Sequence, residues 1–201
     1  MVRERGLLWS GIAGAVSFVV VFLVDGAVKP DYDAVRDPVS EAAIGRGGWV
    51  QIANFILTGT LLAFSAVALR QTVGSSTAFT VTLVGVSLVC AGVFVSDPVP
   101  HEHATWHGVA HNVVSVIVFG ALAVGCFVAA RWRPTPSWRR YCRATGIAVP
   151  VLFVIAGGVE NTAGLWQRLT IVVGWSWLVV LNYRALTSSN SASERANSSV
   201  H

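Results

Sequence analysis

Apolar residues come along this chain in long blocks separated by short polar stretches. Six blocks, roughly 7–24, 50–69, 79–95, 107–130, 144–159 and 165–186, are nearly free of Lys, Arg, Asp and Glu, and the last carries Arg168 near its start and Arg184 near its end. A bilayer core about 30 Å thick takes roughly 20 mostly apolar residues per helix, which is the length scale of these blocks. Backbone groups in lipid must be satisfied within their own segment, and glycine is tolerated between packed helices, so helices fit better than strands. The pattern predicts an all-α polytopic integral membrane protein: a bundle of six transmembrane helices over residues 1–186, then a disordered polar C-terminal tail over 187–201. That tail, "TSSNSASERANSSVH", is too rich in Ser and Asn to bury a core.

Composition agrees. Among 201 residues, 54% are hydrophobic and only 12% charged, and the mean hydropathy is +0.63, which excludes an ordinary soluble domain of this size. The basic residues orient the bundle. With both termini cytoplasmic, the inner segments hold ten of the fourteen Lys and Arg, five of them in "RWRPTPSWRRYCR" (residues 131–143), while Lys29, Arg36, Arg46 and Arg168 fall outside. Eight of the ten acids fall outside with them. The formal charge of +4 is therefore a topology signal in the cell membrane, with the acidic and His-rich loops extracytoplasmic, and it implies no nucleic-acid partner. The basic "MVRERG" ahead of the first block resembles a secretory leader, but no small-x-small site follows, so a retained helix is expected. Cys90, Cys126 and Cys142 form no C-x-x-C pair and predict neither a disulfide nor a zinc knuckle.

The polar stretches carry the candidate chemistry. Asp37-Pro38-Val39 and Asp97-Pro98-Val99 are identical tripeptides, each shortly before a tryptophan, Trp49 or Trp106, that opens a block. Aspartate is a good N-cap and proline suits the first helical position, so each pair can start a short helix. "DPVSEAAIG" reads as an amphipathic lid on the outer face, capped by Asp37 and stopped at Gly45. His103, His107 and His111 recur at i, i+4, i+8 and share one helical face, the spacing by which helices present imidazoles to a metal ion or a polar cavity. Zinc is the possible cofactor, with His103, His107 and His111 as ligands, although the bare H-x-x-x-H lacks the glutamate of H-E-x-x-H. Asp97 could hold a ligand or a water, and Ser40 would line the site. Glu41, Asn54, Asn112, Glu160 and Arg168 reach the same outer layer as binding residues, and Glu160 is the acid nearest Arg168 in sequence.

Taken together, "YDAVRDPVSEAAIGRGGWVQIANFILTG", "VSDPV", "HGVAHN" and "GLWQRL" resemble the bacterial and archaeal membrane proteins grouped as domain-of-unknown-function family 998. The resemblance covers nearly the whole chain up to the tail. It implies a six-helix membrane protein with no established reaction, and it places the family's recurring Ser-acid pair on Ser40 and Glu41, its aspartate on Asp97, its histidine on His107 and its late arginine on Arg168. A more distant likeness to three-histidine zinc hydrolases of membrane lipids is weakened by the clustering of these histidines on one helix. Two functions follow as expectations: a membrane module binding a lipid or a membrane-protein partner through its outer polar layer, and a zinc-dependent hydrolase acting on a lipid amide or ester, with Ser40 and Asp97 as catalytic residues.

Overall fold

The computed structural model describes residues 2–98 and 104–198, and the side chains of residues 3–98 and 104–188. His101, Glu102 and His103 lie outside them. The described chain forms α1 (Val2–Val28), α2 (Trp49–Thr72), α3 (Ser75–Val93), α4 (Trp106–Ala129), α5 (Pro136–Gly158) and α6 (Ala163–Ser198), with short 3-10 helices at Val39–Ala43 and Glu160–Thr162. All six α-helices are long and apolar enough to cross a membrane. Their outward faces are apolar too: Val28 and Val154 are each 72% exposed and Phe79 67%. Surface of that kind is stable against acyl chains and costly against water.

Each helix packs on its neighbours in sequence and α1 closes on α6, making a ring of six. α6 also touches α2 and α4. Its inward face brings Trp175 against Phe18, stacked with ring centroids 5.1 Å apart, and against Phe119 at 6.3 Å; Phe55 meets Phe18 at 5.5 Å. This aromatic cluster fills the bundle beneath the connections 29–48 and 159–162 and the described parts of the third, 94–98 and 104–105, which lie at one end. Gly59 on α2 and Gly85 on α3 cross backbone to backbone, so close that a methyl group on Gly85 would stand 2.6 Å from the Gly59 carbonyl oxygen. Small residues are what permit such an approach between membrane helices.

Two boundaries differ from the sequence expectation. α5 begins at Pro136, inside the Arg-rich stretch, with Thr135 as its N-cap accepting from the Trp138 N–H. The stretch is an amphipathic helical turn: Trp138 and Cys142 are buried while Arg139, Arg140 and Arg143 are exposed. A search for charge-free blocks stops where arginines begin, although the helix continues through them on its wet side. α6 likewise runs past Leu186 as far as Ser198; residues 187–198 contain neither Gly nor Pro to break it.

Candidate functional site

The 29–48 connection is tucked into the bundle end. Val39–Ala43 forms one 3-10 turn whose Val39, Ser40, Ala42 and Ala43 are buried, so the expected lid is a plug against α1, α2 and α6 and does not lie on the outer face. Gly45 and Gly47 leave it at φ of +69° and +79°, a left-handed conformation that glycine adopts without strain. Asp37 does not cap this turn, as the sequence suggested. Pro38 holds the cap position with no side-chain bond, while the Asp37 carboxylate turns back to accept from Arg36 at 2.6 and 3.1 Å and from the Asp33 N–H at 2.7 Å. The Arg36 guanidinium, helped by that N–H, holds the Asp37 carboxyl below its ordinary value of 3.8 despite its burial. A carboxyl depressed in the folded state stabilises fully above its unfolded pKa, and the contribution is lost as pH falls through the folded value. Melting curves of Asp37→Asn and the wild type are therefore expected to differ by a constant amount at pH 5–7, and the gap is expected to shrink below about pH 4.

Arg168 does not pair with Glu160, which is exposed. It is itself only 8% exposed. Its Nη1 donates to the carbonyls of Asp37 and Gly164, both at 3.0 Å, and Nη2 donates to the Tyr32 hydroxyl at 2.6 Å. Tyr32 passes its own proton to the Asp37 and Pro38 carbonyls at 3.2 and 3.0 Å. Burial pushes the Tyr32 hydroxyl pKa up, against the pull of Arg168, which keeps it a protonated donor. The N–H groups of Gly164 and Leu165, free at a helix start, are bonded by the Arg36 and Val35 carbonyls at 3.0 and 2.9 Å. Arg168 thus staples the first connection to α6.

The α3–α4 end is built around a different aspartate. The residues over which a helix from Asp97-Pro98 would run, 99–103, lie outside the described ones, and the Asp97 side chain is engaged elsewhere. It accepts from the Thr105 N–H at 2.8 Å and the Thr105 hydroxyl at 2.6 Å, and Thr105 in turn caps α4 by accepting from Gly108 at 3.1 Å. The carboxylate lies over Gly108, where any Cβ would overlap it. A negative group at a helix N-terminus is electrostatically favoured. His107 and His111 both turn Nδ1 toward the end of α3: His107 to the Val95 carbonyl at 2.8 Å, His111 to the Phe94 and Ala91 carbonyls at 2.6 and 3.2 Å. A carbonyl only accepts, so Nδ1 carries the proton and a neutral His111 presents Nε2 as a lone-pair acceptor. His111 rests on the aromatic cluster through Phe55, ring centroids 6.1 Å apart.

Between these parts lies a cavity of about 660 Å³ whose wall includes Ser40, Glu41, Asp97, His111, Asn112 and Glu160. These sequence-selected residues from separate segments are brought together. Asn54 is not: it is buried between α1 and α2, donating to the Phe18 carbonyl at 3.1 Å and Gln51 at 3.3 Å. His107 and Arg168 are also absent from the wall, and His103 lies outside the described residues. Among the described residues, no group of three His, Cys, Asp or Glu is placed to hold a metal ion. Sequence reasoning passed over Ser96, Ser115 and Gln167, which line the cavity too. Ser115 could have been found, because it continues the i, i+4 ladder of His107 and His111; Gln167 stood inside the quoted "GLWQRL". Gln167 accepts from the Val39 N–H at 2.5 Å and so fixes the plug. A smaller chamber of about 30 Å³ continues inward past Ser40, His111, Ser115 and Gln167 to Trp175, space enough for a single water.

Six helices long and apolar enough to cross a membrane, closed around an aromatic core with a polar cavity at one end, make the architecture of a multi-pass helical membrane protein. The family described as "Protein of unknown function (DUF998)" matches residues 12–183, and the chain belongs to that family. No curated protein and no solved structure matches the chain.

Proposed function

We propose that this protein binds the polar end of a membrane lipid in the cavity, at the extracytoplasmic face of the cell membrane. The observation that carries this reading is the cavity's two-sided wall: polar groups from the plug, the α3–α4 connection and α4 face Val116, Phe153 and Val154 of α4 and α5. Val154 is 72% exposed, so the apolar wall continues onto the surface that meets acyl chains. A concave site with converging polar groups suits a small amphiphilic ligand better than a protein surface, which needs a larger and flatter contact. The sidedness follows from the basic residues, ten of which belong to the opposite end of the bundle.

Gly157 supplies the test. It lines the cavity on α5, and a Cβ there meets nothing within 4 Å, so a large side chain fills the cavity without disturbing the packing. Lipid extracted from protein purified in mild detergent is expected to fall by roughly tenfold in Gly157→Phe relative to wild type. Melting temperatures in lipid-free detergent should stay within about 2 °C of each other, as for other surface changes. A well-folded Gly157→Phe protein that retains lipid as the wild type does would overturn the reading.

A further inference from the structure

The sign of the cavity wall narrows the ligand. Among the described residues the wall carries the carboxylates of Glu41, Asp97 and Glu160 and no lysine or arginine. Two guanidiniums stand outside the wall: Arg168 is committed to Tyr32 and to the Asp37 and Gly164 carbonyls, and Arg36 to the Asp37 carboxylate.

Independent of charge, two buried side chains of the wall offer acceptors. His111, 3% exposed, spends its Nδ1–H on the Phe94 and Ala91 carbonyls, which leaves Nε2 as its acceptor, and the residue lines the cavity. Ser96, 8% exposed, has a hydroxyl oxygen with no hydrogen-bond partner. Buried polar atoms left unpaired are costly, and a ligand that pairs them recovers that cost.

We infer that the cavity takes a primary ammonium group, the ligand being an amine-bearing amphiphile such as an ethanolamine-headgroup lipid. An ammonium offers three N–H donors and a positive charge, which match a neutral imidazole nitrogen, a hydroxyl oxygen and a carboxylate. An anionic headgroup would face three acids in a wall that itself holds no lysine or arginine among the described residues. The apolar wall at Val116, Phe153 and Val154 takes the chain of the amphiphile. The inference rests on the lipid-binding reading above and deepens it.

Native mass spectrometry of the purified full chain tests it, titrating phosphatidylethanolamine, phosphatidylcholine and phosphatidylglycerol with matched acyl chains, dodecylamine, and spermidine as a soluble amine. Phosphatidylethanolamine and dodecylamine are expected to bind about tenfold more tightly than phosphatidylglycerol, the scale of one charge-assisted hydrogen bond. Phosphatidylcholine, whose quaternary nitrogen has no N–H, should bind more weakly than phosphatidylethanolamine. The preference should shrink several-fold in Glu160→Gln, a change at an exposed residue that leaves the fold intact, and binding of every ligand should be lost in Gly157→Phe. Phosphatidylglycerol binding as tightly as phosphatidylethanolamine, both lost in Gly157→Phe, overturns the amine inference and leaves the lipid site standing. Binding of all lipids untouched by Gly157→Phe overturns both. Spermidine binding without any lipid binding sustains the ammonium and overturns the lipid.

Discussion

Arg168→Leu is expected to lower the melting temperature of the detergent-purified protein by roughly 6–10 °C, corresponding to about 3 kcal/mol for a chain of this length. Three hydrogen bonds from one guanidinium, to Tyr32, Asp37 and Gly164, are lost together. The Tyr32 hydroxyl and the Asp37 carbonyl are left at a buried junction with one partner fewer. Arg168→Lys should recover less than half of the loss, because a single ammonium cannot span both directions of the planar fork. The guanidinium also stands near the rings of Phe22 and Tyr32, at 6.0 and 5.5 Å from their centroids, where a leucine gains some contact but no cation–π attraction. A leucine variant melting with the wild type would show that the staple between the first connection and α6 carries no stability, as for an arginine merely snorkelling to the headgroups.

Gly85→Leu is expected to be at least as damaging, at about 3 kcal/mol. A Cβ on Gly85 stands 2.6 Å from the Gly59 carbonyl oxygen and 3.0 Å from the Ala63 nitrogen, both backbone atoms that cannot rotate away, so α2 and α3 must separate. Gly120→Leu on α4 is the matched control. Nothing lies within 4 Å of its Cβ position, and Leu is a better helix former than Gly, so no loss is expected there. Thermal unfolding of the two variants side by side separates crossing geometry from glycine content: equal effects would refute the close crossing.

Much of the architecture was legible because lipid leaves a chain few choices. Blocks of about twenty apolar residues, glycine-rich and nearly free of charge, must be helices, and all six appear where the blocks lie. The start of α5 was misread for a simple reason. Arg139, Arg140 and Arg143 end an apolar block without ending a helix, since on the wet side of α5 they face outward.

The candidate site was legible in part. Ser40, Glu41, Asp97, His111, Asn112 and Glu160 were picked out as polar groups near block ends, and that selection suffices when the described parts of three connections lie at one end of a ring. Their jobs were not legible. Identical Asp-Pro-Val tripeptides predicted identical capping, yet Asp37 is held by Arg36 and Asp33 while Asp97 grips Thr105 eight residues downstream. Sequence distance pointed Arg168 at Glu160, whereas the fold offered the Tyr32 hydroxyl from 136 residues away. Periodicity set His107 and His111 on one face and could not tell that only His111 reaches the cavity wall.

The amino-acid sequence alone thus determined the solvent this protein is built for, the number of its helices and the end at which its polar groups collect. Those follow from hydrophobic length and charge placement, which act locally and along the chain. Which polar groups became staples and which became cavity wall was settled by the closing of α1 on α6. Hydrogen bonds reach only about 3 Å and depend on direction, so their partners exist only once distant segments have been set side by side.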